Sequence, residues 1–388
     1  MRTLREDNND RPGENLGGTP LDLLPTHLPI GATPADGAWA TDASGRRYLD
    51  CLALNSAVSF GHSNSALLAA AHERLDSIAL TGTAFPDAQF DLFADDLATL
   101  AGKELALPMA TAVEAVAAAV AAVRSWGRRV KGIDVDRANV IVAGLEVGGA
   151  GIRRVTYGDA DAIAAAVDEN TVAVLVEPIR AEAGIVVPPA AYLPAVRELA
   201  TRFDVLLIAD ETHSGLGRTG KTFACELVDV VPDLYLLGNA LGGGIVPAAA
   251  VVGDGDVLGA IARVGGRGRG FGGNPLAAAI GRAVVGLLET GELQERAQLL
   301  GTRMLAELDR LVGRGVLAVR GVGVWVGVDI DPLLASADQV CERLARRGLL
   351  ATAVGESTIR LSPPIVVDPA DIDWAVAQLE SVLEELVG

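Results

Sequence analysis

Acids, an arginine and a histidine recur in this chain at the ends of apolar runs: Glu177, Arg180 and Glu182 in VEPIRAE, Asp210 and His213 in ADETH, and Asn239 in LLGNALGGG. Charged side chains at such places would be expensive in a core and are better placed in a pocket. An imidazole beside two carboxylates is the obvious general acid and base if chemistry occurs there. A set of helix caps, structural hydrogen bonds and ion pairs between domains accounts for the same residues. His27, His62 and His72 belong to the N-terminal third, which leaves His213 as the histidine near the expected pocket. Of 32 basic residues only Lys103, Lys131 and Lys221 are lysines, and the other 29 are arginines.

The elements that must position these residues are legible in the apolar pattern. Continuous runs at 139–144, 172–178, 205–211 and 234–238 alternate with helical patterns at 111–126, 159–167 and 189–203. Strands buried on both faces and separated by helices predict a mostly parallel α/β sheet, with ligands beyond its carboxyl ends. Near Gly37 the text WATDASGRRYLD predicts a hairpin. After Asn274 a long helical stretch leads to short strands at VWVGVDI and TIRLSPP and a last helix from Asp371, a smaller α+β unit. The expected division is a tail over 1–20, an N-terminal part of the small domain over 21–60, a large domain over 61–285 and a C-terminal small domain over 286–388.

Composition narrows the partners. The 388 residues are half apolar, with mean hydropathy +0.34 and net charge −18, so a polyanion-binding surface would have to be local and nucleic acid is not expected. Three scattered cysteines without CxxC spacing suit a reduced, cytoplasmic protein. The start has no apolar leader region. The uncharged run from Leu234 to Gly253 holds five glycines, Asn239 and Pro247, and reads as strand, glycine loop and strand, so no membrane partner is expected.

The segments LLIADETHSGLGRTGKTFACE, VVPDLYLLGNALGGG, GFGGNPLA, GKELALPMATAVEA and VRGVGVWVGVDI together resemble the class III aminotransferases of fold type I, most closely the ornithine aminotransferases. The resemblance runs from about His27 to the C-terminus. It implies a homodimer with a large α/β domain, a small domain built from both chain ends, and pyridoxal phosphate (PLP) at the subunit interface. It also implies that Asp210 pairs with the pyridine nitrogen, that Glu182 and Arg360 gate the substrate carboxylate, and that His213 and Asn55 stand where relatives carry a glutamine and a tyrosine.

Several features depart from the family's pattern. Where relatives place the lysine that bonds the cofactor, this chain has Asn239, an amide with no nucleophilic amine. The family's Thr-Gly-Ala phosphate loop reads Thr111-Ala112-Val113-Glu114, a good capping box with side chains where the anion needs close backbone approach. Arg269-Gly270 replace a Ser-Thr pair, and GLEVGGAGIRRVTYGD lacks the aromatic that stacks on the ring. Arg180, Arg267 and Arg269 add positive charge. The resulting expectation is a protein that has lost PLP and transamination. It would work as a PLP-independent acid/base enzyme (cyclisation, isomerisation, elimination or condensation) in specialised biosynthesis, with a non-catalytic partner subunit of an active aminotransferase as the alternative. Its catalytic residues would be His213, Asp210 and Glu182, and a small-molecule substrate would meet Arg180, Arg360, Asn239, Asn55, Phe85, Thr111 and Arg269.

Overall fold

The structure, a computed structural model, describes residues 34–77, 88–145, 147–265 and 274–387. A seven-stranded sheet lies at its centre, in the order Leu105–Met109, Ala249–Gly253, Leu234–Leu237, Leu206–Asp210, Thr171–Val176, Asn139–Ala143 and Ile152–Val155. From Leu234–Leu237 outward the neighbours are parallel, while Ala249–Gly253 runs antiparallel to both of its own. Alternate residues feed opposite layers. Ile141, Val174, Leu207 and Leu237 face one core, and Val140, Leu175, Ile208 and Leu236 face the other. Both faces are covered, which is why these strands read as unbroken apolar runs.

The helix Ala112–Trp126 covers one face, and Ala88–Leu100, Tyr192–Arg202 and Pro275–Glu289 supply the other. Two strands of this sheet were not anticipated. Leu105–Met109 carries a proline, tolerable because it forms the sheet's edge, and Ile152–Val155 is half polar at the opposite edge. The long helical stretch after Asn274 is two helices, Pro275–Glu289 and Glu292–Asp309, because Gly291 turns at φ +75° between them.

A second core joins the two chain ends. Strand Arg47–Asp50, in the expected hairpin with Trp39–Thr41, pairs in parallel with Leu349–Leu350. A further sheet runs Val316–Val322, Trp325–Ile330, Thr358–Leu361 and Thr352–Val354, against helices Glu292–Asp309, Ala337–Arg347 and Pro369–Val387. Among the described residues no helix is long and apolar enough to cross a membrane, and no group of three or more His, Cys, Asp or Glu could hold a metal ion.

Candidate active site

Three adjacent parallel strands end side by side and present Glu177, Asp210 and Asn239 beyond their carboxyl edge. Asp210 is the last residue of its strand and is buried; its Oδ1 accepts from the Thr212 backbone N–H at 3.0 Å and from Thr212 Oγ1 at 2.6 Å. The expected capping use of Asp210 is therefore real, and it employs one oxygen. Burial raises the Asp210 pKa, against the hydrogen bonds from Thr212 and the charge of His213.

Asn239 opens a short 3-10 turn, Asn239–Gly242, at φ +44°, a left-handed conformation that asparagine accepts more readily than most residues. Its Nδ2 donates to the Asn55 carbonyl at 2.8 Å and to His213 Nδ1 at 3.2 Å. An amide nitrogen can only donate, so His213 Nδ1 accepts and the neutral ring carries its proton on Nε2. Burial lowers the His213 pKa and favours that neutral form, while the charges of Asp210 and Glu182 oppose the shift.

Asn55 lies in a left-handed turn. Ala53, Leu54, Asn55 and Ser56 all have positive φ, a conformation costing roughly 1–2 kcal/mol per residue for L-amino acids. Asp50 Oδ1 holds the turn by accepting from Leu52 and Ala53 N–H, and Ser56 Oγ donates to the His213 carbonyl. Arg360, buried on Thr358–Leu361, donates to Asn55 Oδ1. Burial lowers its pKa while the nearby charge of Glu182 raises it. Direct hydrogen bonds thus join Asn239, His213, Asn55 and Arg360, and Asp210 and Glu182 act on that group through their charges.

Glu177 was noted among the strand-end acids but given no role, and Tyr157 escaped the sequence reading. Glu177 is buried, and burial with the Asp210 charge pushes its pKa up to about 8. An acid beside two others at a strand end was the available signal. Tyr157, from the segment after the shortened loop, donates to the Pro178 carbonyl at 3.2 Å and packs edge-on against Tyr192. Arg218, fully buried, also went unmarked; it reaches the Val324 and Pro363 carbonyls and Ser59 Oγ, tying the turn region to the C-terminal segment.

A cavity of about 400 Å³ opens beside this group, lined by Leu54, Ala57, Thr111, Ala112, Asn239 and Ile245 among others. Thr111 caps helix Ala112–Trp126 in the expected box, and Glu114 Oε2 accepts from the backbone N–H groups of Ala110 and Thr111. Phe85 and Arg269, with Arg267, lie outside the described residues. No lysine borders the cavity. Lys103 pairs with Asp254, Lys131 donates to the carbonyls of Thr171 and Asp204, and Lys221 is exposed after the Gly220 turn.

The fold and the strand-end site define an α/β protein of the fold type I aminotransferase class. The family model for class III aminotransferases matches residues 25–144 and 153–383, and the chain belongs to that family. It is 41% identical over 378 residues to an ornithine aminotransferase of Exiguobacterium sp., covering 92% of this chain and 93% of that one. The ornithine delta-aminotransferase of Plasmodium falciparum superposes with a TM-score of 0.89 at 31% identity, covering 93% and 94% of the two chains. That of Toxoplasma gondii, crystallised with oxidised glutathione and showing partial occupancy of PLP at its active site, gives 0.87 at 30% identity over 93% and 91%.

This kinship corrects the functional expectation. Relatives so similar along nearly the whole chain are aminotransferases by name, and one holds PLP. Loss of transamination, a PLP-independent acid/base enzyme, a non-catalytic subunit and the absence of cofactor are overturned. The physical reason is that Asn239 removes one covalent link only, while the carboxylate that the resemblance pairs with the ring, Asp210, stands separately at the next strand end. The donor set fits a pyridoxal ring held noncovalently. Asp210 Oδ2 has no partner among the described residues and can take a ring nitrogen, and the cavity lies against the cap of a helix N-terminus.

Proposed function

We propose that the chain transfers amino groups between small amino and oxo acids, the chemistry its relatives are named for, with PLP held by noncovalent contacts. The observation that carries this reading is the 41% identity to an ornithine aminotransferase over 92% of the chain. When bound, the cofactor supplies an aldehyde that exchanges with amines and a ring that accepts an electron pair.

The chain's residues do the rest. Asp210 holds a proton at the ring nitrogen through Oδ2. His213, held by the 3.2 Å contact with Asn239, offers its imidazole as the base that takes and returns a proton. Asp210 and Glu182 stabilise the imidazolium that forms. Asn55 and Arg360 would bound the substrate side.

The test is direct. Purified protein with PLP, a panel of amino donors including ornithine, and a panel of oxo acids should yield a new amino acid. His213→Ala should slow that turnover by roughly 10²-fold or more, the usual size of a lost acid/base group. No transfer above a protein-free control, at saturating PLP, overturns the reading. In the same proposal the protein is a cytoplasmic homodimer acting on small molecules, in keeping with its three free cysteines and with the dimer the family resemblance implies.

A further inference from the structure

The left-handed turn over 53–56 is the hub of the site. Its Asn55 receives Asn239 Nδ2 on the backbone carbonyl and Arg360 on the side-chain oxygen, its Ser56 Oγ donates to the His213 carbonyl, and its Leu54 lines the cavity. Four successive L-residues at φ from +42° to +75° adopt a conformation that their own sterics oppose, so the turn must be held from outside. Asp50 does this at its start. The carboxylate is buried; Oδ1 accepts from the backbone N–H groups of Leu52 at 2.8 Å and Ala53 at 3.0 Å, and Oδ2 accepts from His62 Nε2 at 2.7 Å. Among the described residues no other hydrogen bond reaches Oδ2.

His62 is itself aimed by the backbone. Its N–H donates to the Gly37 carbonyl at 2.8 Å and its carbonyl accepts from the Gly37 N–H at 3.0 Å. The preceding Gly61, at φ +88°, lies where a Cβ would come within 2.6 Å of Val366. The His62 side chain is 22% exposed against 7% for that of Asp50, so the histidine can be replaced without opening a core, while the buried acid depends on it for a donor. His62 also lines a small cavity with Gly243, Gly244 and Ile245, and the last two line the larger cavity as well. It thus stands between the turn, reached through Asp50, and the segment that follows Asn239.

We propose that His62 is a positioning residue of this site: by holding Asp50 Oδ2 it keeps Asp50 Oδ1 on the Leu52 and Ala53 N–H groups, and so keeps Asn55 between Asn239 and Arg360. Its bearing on amino-group transfer rests on the function proposed above; the positioning itself does not.

Three variants of the full-length protein test this by hydrogen exchange read by mass spectrometry, without substrate or cofactor. His62→Leu keeps bulk and loses the donor, His62→Gln keeps a side-chain N–H for Asp50, and Asp50→Asn weakens the acceptor. His62→Leu should speed exchange over 51–59 by roughly 10- to 100-fold, the range for one hydrogen bond to a charged group. A smaller rise should reach the Asn239–Gly242 turn, and none should reach Ile152–Val155 at the far edge of the sheet. His62→Gln should restore slow exchange. PLP affinity, followed by absorbance titration, should fall in His62→Leu and recover in His62→Gln. Unchanged exchange over 51–59 in His62→Leu, a rise as large at the far edge as at the turn, or no recovery in His62→Gln overturns the proposal. So does a PLP affinity that stays put while the turn loosens. If His62→Leu fails to fold, Asp50→Asn decides, with the same local rise expected and an unchanged turn counting against. Should the unaltered protein take up no PLP, the amino-transfer reading fails, and the exchange pattern still decides the role of His62.

Discussion

Asn239 and His213 share one contact at the centre of the site. The amide touches the imidazole and also grips the Asn55 carbonyl, so a single side chain orders both the ring and a strained turn. Restoring an amine by Asn239→Lys should attach the cofactor to the polypeptide. Borohydride treatment followed by intact-mass measurement should then show added cofactor mass in Asn239→Lys and none in the unaltered protein. Glu177 makes a second prediction. The folded state keeps a proton to about pH 8 that the unfolded chain releases near the ordinary 4.5. Since the folded form binds the extra proton, stability is full below about 4.5 and declines as pH rises toward 8, by an amount on the order of a few kcal/mol. Glu177→Gln should lack this decline, so denaturant unfolding of the two proteins should diverge across that window; parallel pH curves would show that Glu177 ionises normally.

At the scale of elements, the site depends on how closely backbones approach. The hairpin carrying Arg180 and Glu182 docks on the smaller sheet through Arg320, which donates to the Gly184 carbonyl at 2.8 Å and also pairs with Asp329. Thr358 Oγ1 donates to the other oxygen of Asp329 at 2.6 Å, two residues from Arg360 on the same strand. Burial would raise the Asp329 pKa, but the hydrogen bonds from Arg320 and Thr358 prevail and lower it. Helix Glu292–Asp309 crosses the turn before Trp325 so tightly that a Cβ on Gly301 would lie 2.1 Å from the Gly323 carbonyl oxygen. Gly301→Ala should therefore destabilise the protein by about 1–3 kcal/mol in chemical denaturation, the range for overpacking, whereas an unchanged midpoint would mean that the helix can slide.

For the whole molecule, the two chain ends close one core while the central sheet carries the strand-end acids, so the cleft lies where two bodies of packing meet. Hydrophobic residues remain exposed beside the cavity, Leu54 at 64% and Val113 at 78%. A face of that kind suits the proposed second copy of the chain. Native mass spectrometry should give about twice 39.9 kDa; a monomer at micromolar concentration would remove the homodimer from the proposal.

The parallel sheet, its strand ends and the family were legible in the sequence, because doubly buried strands read as apolar runs and the polar residues that close them stand out against that background. The edge strands Leu105–Met109 and Ile152–Val155 were not, since exposure on one side breaks the run. Sequence also showed that position 239 holds no amine, and from that absence, together with the altered phosphate loop, the Arg269-Gly270 pair and the missing stacking aromatic, the cofactor was wrongly dismissed. Only the tertiary structure brought Asn55, from the N-terminal turn, against Arg360 and Asn239, some three hundred and nearly two hundred residues away. Likewise only folding set the burial that protonates Glu177. Residue types are local information, whereas desolvation and long-range contact exist only once the chain has closed on itself.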